Sequence, residues 1–210
     1  MTRRLYLMRH GYTVFNQLDK LQGWSDSPLT ELGVSQALEL GEHLHGLGLA
    51  FDHAYSTPSE RAWRSLMIAL PELGMPTLDR ALRELNCGSL EGSPAFITPW
   101  PVPDDHFVQF GGESTPAMRE RVCEGIDQIM SRDDHELVVA ASHGAAIRTF
   151  FDAWAAFSRV DPQELIGNCG YYAFEYDEGE RTFSCFDVWA PANQPQKAPA
   201  IMSNKAPSAW

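Results

Sequence analysis

The sequence predicts an α/β fold in which helices cover a mainly parallel sheet, and three observations lead to this expectation. Short apolar segments with the character of buried strands alternate with longer segments whose apolar residues recur every three or four positions. This alternation is typical of strand–helix–strand units. Polar residues follow directly where several of the short segments end, and in parallel sheets such positions border the ligand crevice.

The predicted elements follow one another in a regular order along the chain. The first predicted helix has Thr30 as its cap, and the second opens at Pro58, a residue favoured near helix starts. In chain order, the predictions are strand 4–8, helix 30–47, strand 51–56, a helix from 57, strand 77–82, helix 115–131, strand 136–141, a helix from 144, and strands 171–176 and 181–189.

One long segment, residues 88–112, breaks this pattern. Four prolines within it argue against a regular helix or a central strand, and its phenylalanines and tryptophan argue against disorder. We therefore expect residues 93–112 to be a lid inserted into a single domain that spans residues 1–190. Residues 191–210 lack periodicity and are rich in proline and alanine, which predicts a carboxy-terminal tail.

Composition narrows the functional classes. The chain has 210 residues, 16 basic against 28 acidic, and a formal charge of −12. A nucleic-acid partner is not expected, because nucleic-acid binding needs a basic surface. No apolar run reaches the ~20 residues of a membrane span, and the first residues lack the apolar core of a signal peptide. We expect a cytoplasmic protein that binds no membrane, with a homodimer as one possible state.

The cysteines and most histidines carry no recognisable site. None of the four cysteines forms a Cys-x-x-Cys pair, and no His-x-x-x-His spacing accompanies them, so neither a metal site nor a cofactor is expected. In a cytoplasmic protein we expect these cysteines to be reduced thiols. Histidines such as His53 and His135 are expected to be packed or solvated.

Five polar residues stand out because they follow predicted strands or open the next helix: Arg9, His10, Arg61, Glu84 and His143. Arginines match the oxygens of a phosphoryl group, and a neutral histidine can attack phosphorus. A second histidine can stabilise the charge on the phosphoryl oxygens. A carboxyl beside the phosphate, with its pKa raised by that negative charge, can protonate the leaving alkoxide. The set indicates phosphoryl transfer.

Several motifs occur in an order that resembles the histidine phosphatase superfamily, which includes the cofactor-dependent phosphoglycerate mutases. The matching stretches run from residue 7 to about 148 and are Leu7–Asn16, Leu21–Gly33, Tyr55–Ala62, Leu82–Leu85 with Gly88 and Glu91-Gly92, Gly111–Ser114 and Ser142–Gly144. The resemblance implies a three-layer α/β/α sandwich of the phosphoglycerate mutase type.

The resemblance also implies residue roles. His10 would be the phosphorylated nucleophile and Glu84 the proton donor, while Arg9, Arg61 and His143 would surround the phosphate. Further phosphate contacts are implied for Asn16, Gln22, Gly23 and the backbone of Gly144. Another branch of the superfamily takes its acid from the residue after the second histidine; here that residue is Gly144, which favours Glu84.

The same motifs separate two activities on a small-molecule phosphate ester. Mutases of the family typically carry Glu-Ser after the nucleophile motif, where this chain has Tyr12 and Thr13, and residues 93–112 contain no lysine or arginine to hold an acidic substrate. We therefore predict a metal-independent phosphatase. A mutase-type isomerase is the first alternative, and a non-catalytic module that binds phosphorylated ligands is the second.

Overall fold

The computed structural model describes residues 3–99, 101–160 and 166–195. Its six strands form one sheet in the order β3-β2-β4-β1-β5-β6. In chain order the strands are β1 (Arg3–Arg9), β2 (His53–Ser56), β3 (Thr77–Leu78), β4 (Leu137–Ser142), β5 (Tyr171–Asp177) and β6 (Thr182–Trp189). The first four run parallel, and β5 pairs antiparallel with both β1 and β6. This confirms the mainly parallel sheet.

Helices cover both faces of the sheet. They are α1 (Val14–Gln17), α2 (Glu31–Gly46), α3 (Glu60–Ala69), α4 (Thr115–Met130) and α5 (Gly144–Ala153). The alternation of side chains along β1 separates the two layers, since Leu5 and Leu7 pack in the cluster with α4 and α5, whereas Tyr6 and Met8 pack in the cluster with α2 and α3. The three-layer α/β/α arrangement is thereby confirmed.

The third predicted strand is the main correction to the predicted elements. Only Thr77–Leu78 is a strand, and a 3₁₀ turn, Arg80–Leu82, occupies the rest of the predicted segment. The Asp79 side chain accepts a hydrogen bond from the amide of Ala81 at 2.8 Å and so caps this turn. Glu84 therefore reaches the sheet edge from a loop and not from the end of a strand.

Smaller differences concern element ends and one short helix. The second strand begins at His53 rather than at residue 51, and the second long helix begins at Glu60. Helix α1 was not predicted; Thr13 forms a capping box with Asn16 at its start. With one turn only, α1 is too short to show apolar periodicity.

The segment predicted to be a lid has no regular helix or strand in its described part. Two 3₁₀ turns, Ala95–Ile97 and Val108–Phe110, interrupt it. Phe107 is buried in the core while Phe96 is 68% exposed, so the segment is anchored from one side and open on the other. Its first residues adjoin the loop after α1, where Lys20 pairs with Pro94. Its role as a lid stays a prediction.

The first residues of the predicted tail pack onto the domain. The Ala192 amide donates to Glu39 of α2, and Gln194 exchanges hydrogen bonds with the backbone of Asn168. Residues 196–210 lie outside the described part of the chain. None of the described helices combines the length and apolar character needed to cross a membrane.

Candidate active site

The carboxyl ends of the central strands bring the two predicted histidines together. Arg9 at the end of β1 pairs in register with Ser142 at the end of β4, so His10 and His143 leave neighbouring strands at the same edge. Their ring centroids lie 5.3 Å apart. Both side chains are almost fully buried. The sequence prediction that these strand ends form one site agrees with this geometry.

The backbone fixes the tautomer of His10. Its Nδ1 lies 2.8 Å from the carbonyl oxygen of Gly11. Because a carbonyl can only accept, Nδ1 carries the hydrogen and the lone pair resides on Nε2. Burial, with help from the charges of Arg61 and Arg9, holds the pKa of His10 well below its usual value. His10 is therefore neutral at neutral pH, as nucleophilic attack requires.

His143 has the opposite tautomer. The Arg61 guanidinium donates to its Nδ1 at 2.9 Å, so the hydrogen of the neutral ring lies on Nε2. That Nε2 is buried and has no hydrogen-bond partner among the described residues. Burial and the charge of Arg61 hold the pKa of His143 well below its usual value. The ring thus presents a neutral N–H donor.

Near His10, two guanidinium nitrogens are buried and unpaired, as the His143 Nε2 is. Arg9 Nε and Arg61 Nε each lack an acceptor among the described residues. The three side chains lie near His10, because the His143 ring centroid is 5.3 Å from that of His10 and the charges of Arg61 and Arg9 lower the pKa of His10. Leaving such donors unpaired in the protein interior is costly. An anion with several acceptor oxygens would satisfy all three. A phosphate group has the charge and the oxygens that this arrangement requires.

Arg61 also organises the loop that borders the site. Its Nη1 donates to the Ser25 carbonyl at 2.8 Å and to Asp26 at 3.0 Å, and its Nη2 donates to the Gly23 carbonyl at 2.8 Å. Since these bonds occupy both terminal nitrogens, only Nε remains for an anion. The side chain is 1% exposed. Arg61 thereby couples loop 22–26 to His143.

Glu84 lies against the amino terminus of α5. Its Oε1 accepts from the amides of Leu85 at 2.9 Å and Ala146 at 3.0 Å, and its Oε2 accepts from Ala145 at 3.0 Å. Burial raises the pKa of Glu84, although these amides and the nearby arginines oppose the rise. Oε2, with a single amide partner, retains a lone pair that can hold a proton.

An open pocket at this edge brings together Arg9, His10, Asn16, Gln22 and Glu84. Asn16 Oδ1 accepts from the Thr13 amide at 3.2 Å, which leaves its NH₂ group as a donor for a ligand. Gln22 is held between the hydroxyls of Thr13 and Ser27. Thr13 thus supports the pocket by orienting Asn16 and Gln22.

The backbone of Gly23 bonds to the loop in this structure: its amide donates to Glu91 at 3.0 Å and its carbonyl accepts from Arg61. Its contact with a phosphate stays a prediction. Gly144 lies beside Arg9, since a Cβ added there would be in ordinary van der Waals contact, 3.4 Å from the Arg9 guanidinium. The contact of its backbone with a phosphate stays a prediction. Arg61, His143, Gly23 and Gly144 do not line the open pocket and lie around it.

Sequence reasoning missed several residues that support the site. Glu91 accepts hydrogen bonds from three consecutive loop amides, those of Gly23, Trp24 and Ser25. Asn168 donates to the His10 carbonyl at 3.1 Å from the segment before β5. Glu91 lies in a motif that resembles the family, but no local pattern marks its carboxylate as an acceptor. Asn168 belongs to no motif, so the sequence does not indicate that it contacts the site.

Sequence reasoning also missed four residues that line the pocket. Lys20, Leu21, Leu85 and Cys87 line it. Burial raises the pKa of the Cys87 thiol, and nearby carboxylates add to the rise, which argues against a nucleophilic role. Trp24 lies beside Glu84: its indole N–H donates to the Glu84 carbonyl at 2.9 Å, and Arg83 stacks on its ring at 4.7 Å.

Comparison with known proteins agrees with this geometry. The family model of the histidine phosphatase superfamily (branch 1) matches residues 5–188. A 2,3-bisphosphoglycerate-dependent phosphoglycerate mutase from Brucella canis is 41% identical over 183 residues, which cover 79% of this chain and 86% of that protein.

Solved structures share the fold. A phosphoglycerate mutase from Bacillus anthracis superposes with a TM-score of 0.76 at 25% identity, over 89% of this chain and 92% of that one. A mycobacterial glucosyl-3-phosphoglycerate phosphatase reaches a TM-score of 0.72 over 90% of this chain and 100% of its own; at 22% identity it supports the fold alone. Matched along nearly all of its length, this chain belongs to the histidine phosphatase superfamily, whose members are enzymes.

Proposed function

We propose that this protein is a metal-independent phosphomonoester hydrolase that acts through a phosphohistidine on His10. The observation that carries the proposal is the neutral His10 with its lone pair on Nε2, surrounded by the unpaired donors of Arg9, Arg61 and His143. These donors match the oxygens on which charge is spread during phosphoryl transfer.

The reaction proceeds in two displacements. His10 Nε2 attacks phosphorus while the bond to the ester oxygen breaks, and protonated Glu84 gives its proton to the leaving alkoxide. Glu84, now a carboxylate, then accepts a proton from the water that attacks the phosphohistidine. Inorganic phosphate leaves and His10 is regenerated. The raised pKa of Glu84 supports its part as the acid in the first displacement.

Two features favour hydrolysis over isomerisation. The Tyr12-Thr13 pair replaces the acidic residue and serine typical of mutases, and the segment 93–112 contributes no basic residue. Shortly after Pro94, which pairs with the pocket-lining Lys20, the segment exposes Phe96 and Ile97, which suits an ester with an apolar or weakly charged body. The four cysteines are free thiols, which supports the cytoplasmic location that we also propose.

A phosphoglycerate mutase-type isomerase is the second candidate. Lys20 lines the pocket and offers a cation for a substrate carboxylate, and the Brucella canis relative bears the mutase name. Phosphate release from a panel of esters in the presence of a chelator, with 3-phosphoglycerate interconversion assayed in parallel, separates the two. Release that His10→Ala abolishes supports the hydrolase. Interconversion of 3-phosphoglycerate without phosphate release supports the mutase, and no activity in either assay favours a binding module.

A further inference from the structure

A second cluster of titratable side chains lies at the opposite edge of the sheet. His53 begins β2, and Asp134 and His135 lie just before β4. Because β2 and β4 are parallel and run toward the His10 pocket, the residues before them lie at the far end of the sheet. The cluster is therefore separate from the proposed active site.

The donor atoms of this cluster converge. One ligand atom from each of His53, Asp134 and His135 lies within 4.8 Å of the others, and no other such group occurs in residues 3–99, 101–160 and 166–195. The two carboxylate oxygens of Asp134 face the two rings, with Oδ2 at 3.4 Å from His53 Nε2 and Oδ1 at 2.7 Å from His135 Nδ1. Two imidazoles with one carboxylate form a donor set preferred by Zn²⁺ and similar ions.

Each ring is also oriented from its other nitrogen. His53 Nδ1 lies 2.9 Å from Asp52, whose second oxygen accepts from the amides of Glu136 and Leu137 at the start of β4. His135 Nε2 lies 2.7 Å from the Tyr55 hydroxyl, which Arg132 in turn contacts at 2.8 Å. Such outer hydrogen bonds are what aim metal-ligating histidines at their ion.

We propose that His53, Asp134 and His135 bind one divalent transition-metal ion, with Zn²⁺ as the representative. His135 binds the ion through Nδ1, which now donates to Asp134, and its one ring hydrogen is then carried on Nε2, where the Tyr55 hydroxyl accepts it. Solvent completes the coordination, because the Asp134 side chain is 73% exposed. Within two residues of the three ligands along the chain stand four acidic residues, Asp52, Asp133, Asp134 and Glu136, against one basic residue, Arg132, so the local sequence favours a cation.

Binding of the ion requires one of the two histidine rings to rotate. The two rings are stacked with centroids 3.6 Å apart and planes 15° from parallel, so a single ion cannot lie in the plane of both. His135 is buried, whereas the side chain of His53 is 32% exposed and has room to rotate. With ligand bonds of ~2.0–2.2 Å around a tetrahedral ion, donor atoms stand roughly 3.4 Å apart, close to the present spacing of His53 and Asp134.

Zn²⁺ titration of the untagged protein by calorimetry tests this proposal, with Co²⁺ absorption as a second readout of tetrahedral coordination. The variants are His53→Gln and Asp134→Asn. His45→Gln is the matched control, because His45 is an exposed histidine that contacts a carboxylate, Glu72, elsewhere on the surface. His10→Ala reports on metal bound in the proposed active site instead. Melting in a chelator verifies that each variant is folded.

We expect one Zn²⁺ per chain in wild type, His45→Gln and His10→Ala, and affinity weakened at least about tenfold in His53→Gln and Asp134→Asn. Zn²⁺ should raise the melting temperature of wild type, because an ion that binds only the folded chain stabilises it. Absence of saturable binding at micromolar Zn²⁺ would overturn the proposal. Binding unchanged in both variants, or lost only in His10→Ala, would do the same. None of these outcomes depends on phosphatase activity.

Discussion

The Glu91→Gln substitution tests whether one carboxylate holds the loop beside the proposed phosphate site. Glu91 Oε2 accepts from the Gly23 amide at 3.0 Å, the Ser25 amide at 3.1 Å and the Ser25 hydroxyl at 2.5 Å. Oε1 accepts from the amides of Trp24 at 2.7 Å and Cys87 at 3.1 Å. All five partners are donors, so the NH₂ group of glutamine would face at least two of them.

These contacts determine how much stability the Glu91→Gln protein should lose. The amide oxygen of glutamine fits best at the Oε2 position, which leaves the Trp24 and Cys87 amides without an acceptor. Hydrogen bonds to a charged group contribute ~1.5–3 kcal/mol each. The Trp24 bond is exposed and its amide can turn to water, whereas the Cys87 bond is partly buried. We expect a loss of about 2–4 kcal/mol in the free energy of unfolding, or roughly 5–15 °C in melting temperature.

Activity should fall along with stability. The loop that Glu91 holds supplies the Gly23 and Ser25 carbonyls to Arg61, and small displacements near reacting groups cost up to about 10²-fold in rate. Urea unfolding and kcat/KM on the best ester measure both effects. Glu72→Gln, an exposed carboxylate elsewhere, is the control. A Glu91→Gln protein within 1 kcal/mol and twofold of wild type would refute this reasoning.

Three further outcomes are expected. Glu84→Gln should lower kcat by about 10²–10⁴-fold, because the amide cannot donate the proton to the leaving group. The variant should also lose the fall of kcat at alkaline pH. If this fall persists in Glu84→Gln, a group other than Glu84 causes it. Urea titrations should show the free energy of unfolding falling as pH drops below about 6.5, because His10 and His143 have lowered pKa values in the folded chain and the unfolded chain binds the protons. The same dependence of this free energy on pH in the His10→Ala, His143→Ala double variant would contradict this prediction. Phe107→Ala should lower the free energy of unfolding by about 3–5 kcal/mol, because Phe107 is buried. Phe96→Ala, at an exposed site, should alter KM for bulky esters without loss of stability. Equal unfolding curves for Phe107→Ala and wild type would disprove the anchoring by Phe107.

The sequence predicted the sheet and its long helices because their signals are local. Thr30 caps α2 as expected, and the apolar alternation of β1 sorts its side chains between two helical layers. The strand end at Leu78 was not predictable from apolar character, since the Asp79 cap that turns the chain into a 3₁₀ turn is a single side-chain contact. Boundaries of this kind depend on one hydrogen bond rather than on a repeated pattern.

The candidate site likewise contains contacts that the sequence predicts and contacts that it does not. His10 and His143 follow buried strands, so their proximity is predictable from parallel topology. The bonding of Gly23 to Glu91 joins residues 68 positions apart, and no spacing rule reveals it. The same holds for His53 and His135, whose rings stack although 82 positions separate them. Contacts of this range depend on tertiary packing and not on local sequence pattern.

The central claim is that His10 carries the phosphoryl group during turnover. Rapid acid-free quenching of the enzyme with a ³²P-labelled ester, followed by gel separation at alkaline pH, where phosphohistidine survives, measures it directly. We predict label on the wild-type chain, lost on brief acid treatment and absent from His10→Ala, with His45→Gln labelled as wild type. Turnover of the ester without label on the wild-type chain, or equal labelling of His10→Ala, would contradict the account.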